Sequence, residues 1–303
     1  NLIVCGSIFS MMTKIFKDKK EPLYNRQTRF MSIKPFTPAV LKEIMAEYNP
    51  NYTSEDLLAL YSFTGGVAKY VQLLVDAGAT TKTKMLNHII KADSVFLGEG
   101  KAILIEEFGK DYGVYFSILS AIARGKTLRS EIEQIVGREI GGYLTKLEKE
   151  YEVITKNQPI FEKSSTKNVR YTIEDNFFNF WFRFIYKYNY MLEIENYDAV
   201  KTIINRDYET FSGKMLERYF KRVLMESKAY TRIGSWWDRK GENEIDIVAE
   251  NELNDEAIFI EVKRKEENFD AIALNEKVDA FTRATGKFKD YTVSQKGLSM
   301  TDM

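Results

Sequence analysis

Glu244-Ile245-Asp246-Ile247-Val248-Ala249 and Ala257-Ile258-Phe259-Ile260-Glu261-Val262-Lys263 are two runs of Ile, Val and Phe interrupted by charge. Side chains alternate about a strand, so Glu261 and Lys263 are expected on one face, with Val262 turned to the core. Asp246 precedes Glu261 by fifteen residues (261 minus 246), which leaves room for a turn through Asn251-Glu252-Leu253-Asn254-Asp255 and a return strand. A hairpin then gathers two carboxylates and one ammonium. Charge in the middle of an apolar strand is costly unless it is paired or liganded. Asp246 and Glu261 suit a hard divalent cation, Mg²⁺ or Mn²⁺, which takes carboxylates together with phosphate oxygens and water. Lys263 would orient or deprotonate the attacking water, or steady charge on a phosphate. The alternative is an amphipathic hairpin with a Glu-x-Lys ion pair and an incidental Asp.

Working outward, residues 212–224 read as an amphipathic helix, with Met215, Leu216, Tyr219, Phe220, Val223 and Leu224 on one side and Glu217 beside that stripe. Residues 272–284 read as a second helix and 290–294 as a short strand. The order helix, three strands, helix, strand over 211–295, with an acid on the helix, then Asp, then Glu-x-Lys, resembles the restriction-endonuclease-like PD-(D/E)xK superfamily. That resemblance implies Glu217 and Lys263 as catalytic residues and Asp246 and Glu261 as metal ligands; Ile245 stands where the superfamily name has Pro. From Lys214 to Lys240 the chain carries eight basic residues against three acids. A basic stretch beside such a site suits a phosphodiester, with Lys214, Arg218 and Arg222 as expected nucleic-acid contacts. Taken alone, the same stretch reads equally as a solvated helix face.

At the other end, Leu2-Ile3-Val4-Cys5-Gly6-Ser7 reads as a buried strand ending at a small polar residue, and Glu21-Pro22-Leu23-Tyr24-Asn25-Arg26 and Ile33-Lys34-Pro35-Phe36 follow. These stretches resemble the end of an AAA+ ATPase core, of the prokaryotic branch that carries a C-terminal domain of unknown function with the nuclease-like signature. The resemblance implies a vestigial nucleotide site with Ser7 as polar sensor and Arg26 near phosphate, where a planar guanidinium can bind two oxygens at once. Asn25 replaces the usual Gly and also tolerates positive φ. Read from the residues alone, Arg26 pairs equally well with Glu21.

Helices are expected after Thr37-Pro38 and after the capping box Thr53-Ser54-Glu55-Asp56, with Asn49-Pro50-Asn51 as the break. Gly65-Gly66-Val67-Ala68 resembles the lid motif of such ATPases, with Ala68 in place of Pro. Two decoys of a phosphate-binding loop occur. Gly125-Lys126-Thr127 has Ser120 where the first Gly belongs, and Gly100-Lys101 is followed by Ala102 and has Val95 five residues before it. Neither meets the pattern, so ATP is expected only with an N-terminal core that these residues lack.

Three short helices within 115–150 and two strands at 153–156 and 169–173, flanking a Lys- and Ser-rich wing at 162–168, read as a winged helix-turn-helix. Its third helix mixes Lys146 and Lys149 with Glu148 and Glu150, so DNA contact and structural packing both stay open. The run Asn176-Phe177-Phe178-Asn179-Phe180-Trp181-Phe182-Arg183-Phe184-Ile185 is apolar nearly all round and reads as core or subunit interface.

Length and composition set the frame. With 303 residues and 44% apolar content the chain can bury more than one core, and Lys plus Arg equals Asp plus Glu at 44 each, so net charge names no partner. A single cysteine, Cys5, and a single histidine, His88, exclude a disulfide scaffold and a zinc cluster, and the expected compartment is the cytoplasm. No apolar run is long enough for a membrane span, and without an initial Met the chain is expected to be a piece of a longer protein. The expected fold class is multidomain α and α/β. Its parts are an AAA+ core end (1–36), a helical lid remnant (37–110), a winged helix (111–175), an aromatic helical linker (176–210) and a C-terminal restriction-endonuclease-like α/β domain (211–303). The expected function is nucleic-acid binding with metal-dependent phosphodiester hydrolysis, or else a catalytically inert DNA-binding or protein-interaction module of an ATPase; protein partners or a homo-oligomer fit either.

Overall fold

The computed structural model describes Ile3 and residues 15–16, 19–163 and 165–303. Its elements run α1 (Pro38–Tyr48), α2 (Ser54–Thr64), α3 (Ala68–Asp76), α4 (Lys82–Ile89), α5 (Val95–Phe108), α6 (Tyr112–Ala123), α7 (Arg129–Val136) and α8 (Gly141–Lys149). There follow β1 (Ile154–Asn157), β2 (Arg170–Ile173), α9 (Asn176–Phe180), α10 (Asn189–Glu193), α11 (Tyr197–Ser227), β3 (Arg232–Trp237), β4 (Glu244–Asn251), β5 (Glu256–Val262), α12 (Ala271–Thr285) and β6 (Thr292–Leu298). The chain is thus mixed α/β, with a helical region and a mixed sheet. Among the described residues no helix is long and apolar enough to cross a membrane. The expected strand at Leu2 to Cys5, apart from Ile3, and Ser7 lie outside the described residues.

Two compact units share the chain, one of residues 1–34, 89–156 and 170–200, the other of 35–88, 157–169 and 201–303. In the first, α6, α7 and α8 precede a two-stranded sheet of β1 and β2. Gly137 closes α7 at φ 74°, as its position after the last apolar residue foretells. Phe177, Phe180, Trp181, Phe182 and Phe184 are all buried, so the aromatic run is core. Trp181–Tyr186 forms a π-helical stretch there.

In the second unit the helix caps follow the sequence. Thr37 Oγ1 accepts from Val40 N, and Thr53 and Asp56 form a reciprocal capping box on α2. The helix expected over 212–224 is part of a single 31-residue helix, α11, because residues 197–211 continue its apolar stripe, with Val200, Ile204, Tyr208 and Phe211 buried at helical spacing and no Gly or Pro among them. The sheet order is β3-β4-β5-β6, antiparallel for the first two pairings and parallel for the last. One face buries Trp236, Ile245, Val248 and Phe259 against Leu274, Val278 and Phe281 of α12. Residues 157–169, which include the wing expected at 162–168, are tied to the same sheet. Ile160 N donates to Ser235 O at 2.8 Å, Trp237 Nε1 donates to Asn168 Oδ1 at 2.9 Å, and Phe161 packs on Phe288 with ring centres 5.4 Å apart. Both tryptophans of β3 are buried.

Gly297 pairs with Glu261 across the parallel ladder, and a Cβ placed on it would stand 2.5 Å from the ring of Phe269. Overpacking at such a point displaces the ring or the strand. Gly297→Ala is expected to destabilise the chain by about 1–3 kcal/mol, read as a lowered denaturant midpoint; an unchanged midpoint would show that Phe269 yields freely.

Candidate functional site

β4 is irregular at the residue that matters most. Gly234 pairs with Val248 and Trp236 with Ile245, so Ser235 alone stands opposite both Asp246 and Ile247. Such a bulge bends the strand and re-aims its side chains. It also explains how Ile245 and Val248, three residues apart, enter the same core. The carbonyl of Asp246 accepts from Ser235 Oγ at 2.7 Å, which satisfies the main chain inside the bulge. Regular pairing of β4 with β5 extends from Asn251 opposite Glu256 to Ile247 opposite Ile260. Past that point the Val262 N–H donates to Asp246 Oδ2 at 2.7 Å, so a carboxylate substitutes for a ladder carbonyl.

Glu261, on β5, is only 6% exposed. Lys263 Nζ lies 2.7 Å from its Oε1, and Lys277 Nζ from α12 reaches both oxygens, at 2.9 and 3.0 Å. Lys263 follows the last residue of β5, and its N–H still donates to Leu298 O at 2.9 Å, so the alternation expected for Glu261 and Lys263 ends in a direct ion pair. Glu217 of α11 and Glu244 of β4 are half-buried and share the electrostatic environment of Asp246. Glu217, Asp246, Glu261 and Lys263 are thereby brought together.

The charges perturb one another. Burial, and then the negative charge of Glu261, push the Asp246 carboxyl up to about 6, against the Val262 N–H and Lys263, which pull it down. Burial and the charge of Asp246 push Glu217 further, up to about 8, opposed by Lys214. For Lys263, burial favours the neutral amine, but the hydrogen bond and charge of Glu261 outweigh it and hold the group above its ordinary value. Lys263 is therefore a cation here, suited to steadying negative charge rather than to removing a proton.

As metal ligands, the donors are all carboxylate oxygens, the chemistry a hard cation takes, and a divalent ion would relieve the repulsion that raises Asp246 and Glu217. Among the described residues, no group of three or more His, Cys, Asp or Glu side chains is placed to hold one ion. Glu261 is turned to its two lysines instead.

Two participants escaped the sequence reading. Lys277 lies three residues after Leu274 and four before Phe281, on the buried side of α12, and a Lys at a core spacing was the available signal. Glu244 shares strand β4 with Asp246, two residues before it. Of the expected nucleic-acid contacts, Lys214 is exposed and, with Arg218, lies close enough to Glu217 to lower its pKa, whereas Arg222 is exposed and pairs with Glu226 at 2.8 Å. Four-residue spacing sets the three about 6 Å apart along the helix. Arg26 is exposed just after a turn in the first unit, with Asn25 at φ 53° as its residue type allows, and Ser7 lies outside the described residues.

The folded-state pKa values of Asp246 and Glu217 lie above their unfolded values, so their contribution to stability is fully present below the ordinary carboxylate range and is lost as pH rises through about 6 and about 8. Melting in the presence of a chelator is expected to decline over that interval. Asp246→Asn, which removes one crowded charge, is expected to stabilise the metal-free chain at pH 8 by about 1–2 kcal/mol. A variant no more stable than the parent at pH 8 would contradict the crowding.

Comparison with known proteins bears on this same segment. Residues 181–296 match the family model DUF234, described as "Archaea bacterial proteins of unknown function". The match takes in Glu217, Asp246, Glu261, Lys263 and Lys277. An uncharacterized protein of Methanocaldococcus jannaschii is 33% identical over 280 residues, which cover 88% of this chain and 60% of that protein. The chain therefore spans about three fifths of the length of the relative it matches. No solved structure matches.

Proposed function

We propose that residues 211–303 form a restriction-endonuclease-like domain that binds nucleic acid and hydrolyses phosphodiester bonds with Mg²⁺ or Mn²⁺. The observation that carries the reading is the meeting of Glu217, Asp246, Glu261 and Lys263 at a bulged strand, with two of the acids held above their ordinary pKa by burial and mutual repulsion. Bulges and crowded carboxylates cost stability, and such costs concentrate where chemistry needs them. In this reading Asp246 and Glu261 hold the metal, Lys263 steadies the phosphate and Glu217 completes the acidic set. Lys214 and Arg218, beside Glu217, together with Arg222 one turn on, would follow the phosphate backbone.

The rest of the chain fits the C-terminal portion of an AAA+ ATPase of the prokaryotic type. Residues 1–36 are read as the end of the ATPase core, 37–110 as lid, 111–175 as a winged helix and 176–210 as linker. Supports for this are the capped helices α1 and α2, the left-handed Gly65 and Gly66, and the order of three helices and two strands over 112–173. Nucleotide hydrolysis would belong to the longer protein, and cytoplasmic residence is part of the same proposal.

A second reading, a nucleic-acid-binding module that no longer cleaves, is favoured by one observation: the oxygens of Glu261 are already taken by two lysines. The test is cleavage of single- and double-stranded DNA by the chain with Mg²⁺ or Mn²⁺. Asp246→Ala and Lys263→Ala are each expected to lose about 10²-fold or more of the rate while still melting cooperatively. Undiminished cleavage by both variants rejects the nuclease; DNA binding with no calorimetric Mg²⁺ binding selects the inert module. Replacing Lys214, Arg218 and Arg222 together by Ala is expected to reduce the salt dependence of DNA binding by about 2–3 in the slope of log K against log salt. An unchanged slope would remove α11 from the interface.

A further inference from the structure

Lys277 lies outside the four-residue pattern, yet it makes a two-point contact in the site. Its ammonium bonds both oxygens of Glu261, at 2.9 and 3.0 Å, while Lys263 bonds Oε1 at 2.7 Å. Two positive charges thus converge on one carboxylate, and the neighbouring Asp246 and Glu217 carry raised pKa values. A cation shared by Asp246 and Glu261 needs at least one Glu261 oxygen. Both oxygens face Lys277.

The backbone beneath Lys277 is fixed, because Leu274, Val278 and Phe281 anchor α12 in the core. The side chain itself is a long flexible stem, 25% exposed, so its head can swing to water without moving the helix. Lys263 differs in its surroundings, since its ammonium also feels the charges of Asp246 and Glu217. The two lysines are therefore unequal: Lys263 is drawn by three acids, whereas Lys277 contacts Glu261.

We propose that Lys277 is an internal counter-cation, a positioning residue that occupies Glu261 in the metal-free protein and is displaced when a divalent cation loads. It follows that Lys277 sets the metal concentration at which the site fills, and that it joins Lys263 in compensating a buried carboxylate. The inference rests on the metal site of the proposed nuclease and deepens it.

The test is Mn²⁺ binding, measured by calorimetry on the full chain and on Lys277→Met, Lys277→Arg and Glu261→Gln. Lys277→Met keeps the stem and drops the charge, and is expected to bind Mn²⁺ about tenfold more tightly. Lys277→Arg should bind no more tightly than the parent, and Glu261→Gln should abolish the gain when combined with Lys277→Met. Equal or weaker binding by Lys277→Met overturns the inference, as does Mn²⁺ binding by none of the proteins. If Lys277→Met fails to melt cooperatively, Lys277→Gln takes its place with the same expectations. Cleavage of DNA by the same preparations separates the two ideas. Tighter binding without cleavage keeps the role of Lys277 and removes the nuclease, whereas cleavage with unchanged affinity does the reverse.

Discussion

The hydrogen bond from the Val262 N–H to the Asp246 carboxylate is the constraint from which the site follows. A buried main-chain donor without a partner costs about 1–3 kcal/mol, and at the bulge the regular ladder can no longer supply one. Asp246 supplies it with a charged oxygen, while Ser235 satisfies the Asp246 carbonyl from the other side. The carboxylate is thereby locked by its own structural duty beside Glu261. Burial, and then the negative charge of Glu261, raise the pKa of Asp246 there.

Four consecutive residues at the end of β5 divide the work. Glu261 gathers Lys263 and Lys277, Val262 holds Asp246 in place, Lys263 closes the ion pair, and Arg264 turns to Ser212 of α11 and Glu55 of α2. Arg264 also lies over the ring of Tyr208, 5.5 Å from its centre. The strand end is thus bound to helix α12 through Lys277 and to α2 and α11 through Arg264. Both attachments are charged hydrogen bonds at partly buried positions, where they are stronger than at an open surface.

Much of the fold was legible because local rules and global packing agree. Thr53 and Asp56 cap α2 as their spacing indicates, Gly137 ends α7, and the Ile-, Val- and Phe-rich runs pair as strands. The full extent of α11 was legible too, since Val200, Ile204, Tyr208 and Phe211 repeat at three- and four-residue spacing ahead of Met215 and nothing in residues 197–211 stops a helix. The grouping of residues 157–169 with the sheet was out of reach. A turn between two short strands carries no local sign of the distant surface on which Ile160 and Phe161 pack.

Residue identity alone determined which chemistry this chain can offer: Asp246 and Glu261 on strands, Lys263 just past the end of one, Glu217 on a helix stripe, and oxygen donors rather than Cys or His. That much follows from side-chain periodicity, which is a property of the local backbone. Only the tertiary structure decided that β4 bulges at Asp246, that Lys277 arrives from another helix to take both oxygens of Glu261, and that the acids crowd enough to shift their protonation. Those outcomes depend on register and on long-range packing, which are set by the whole core and written in no single stretch of sequence.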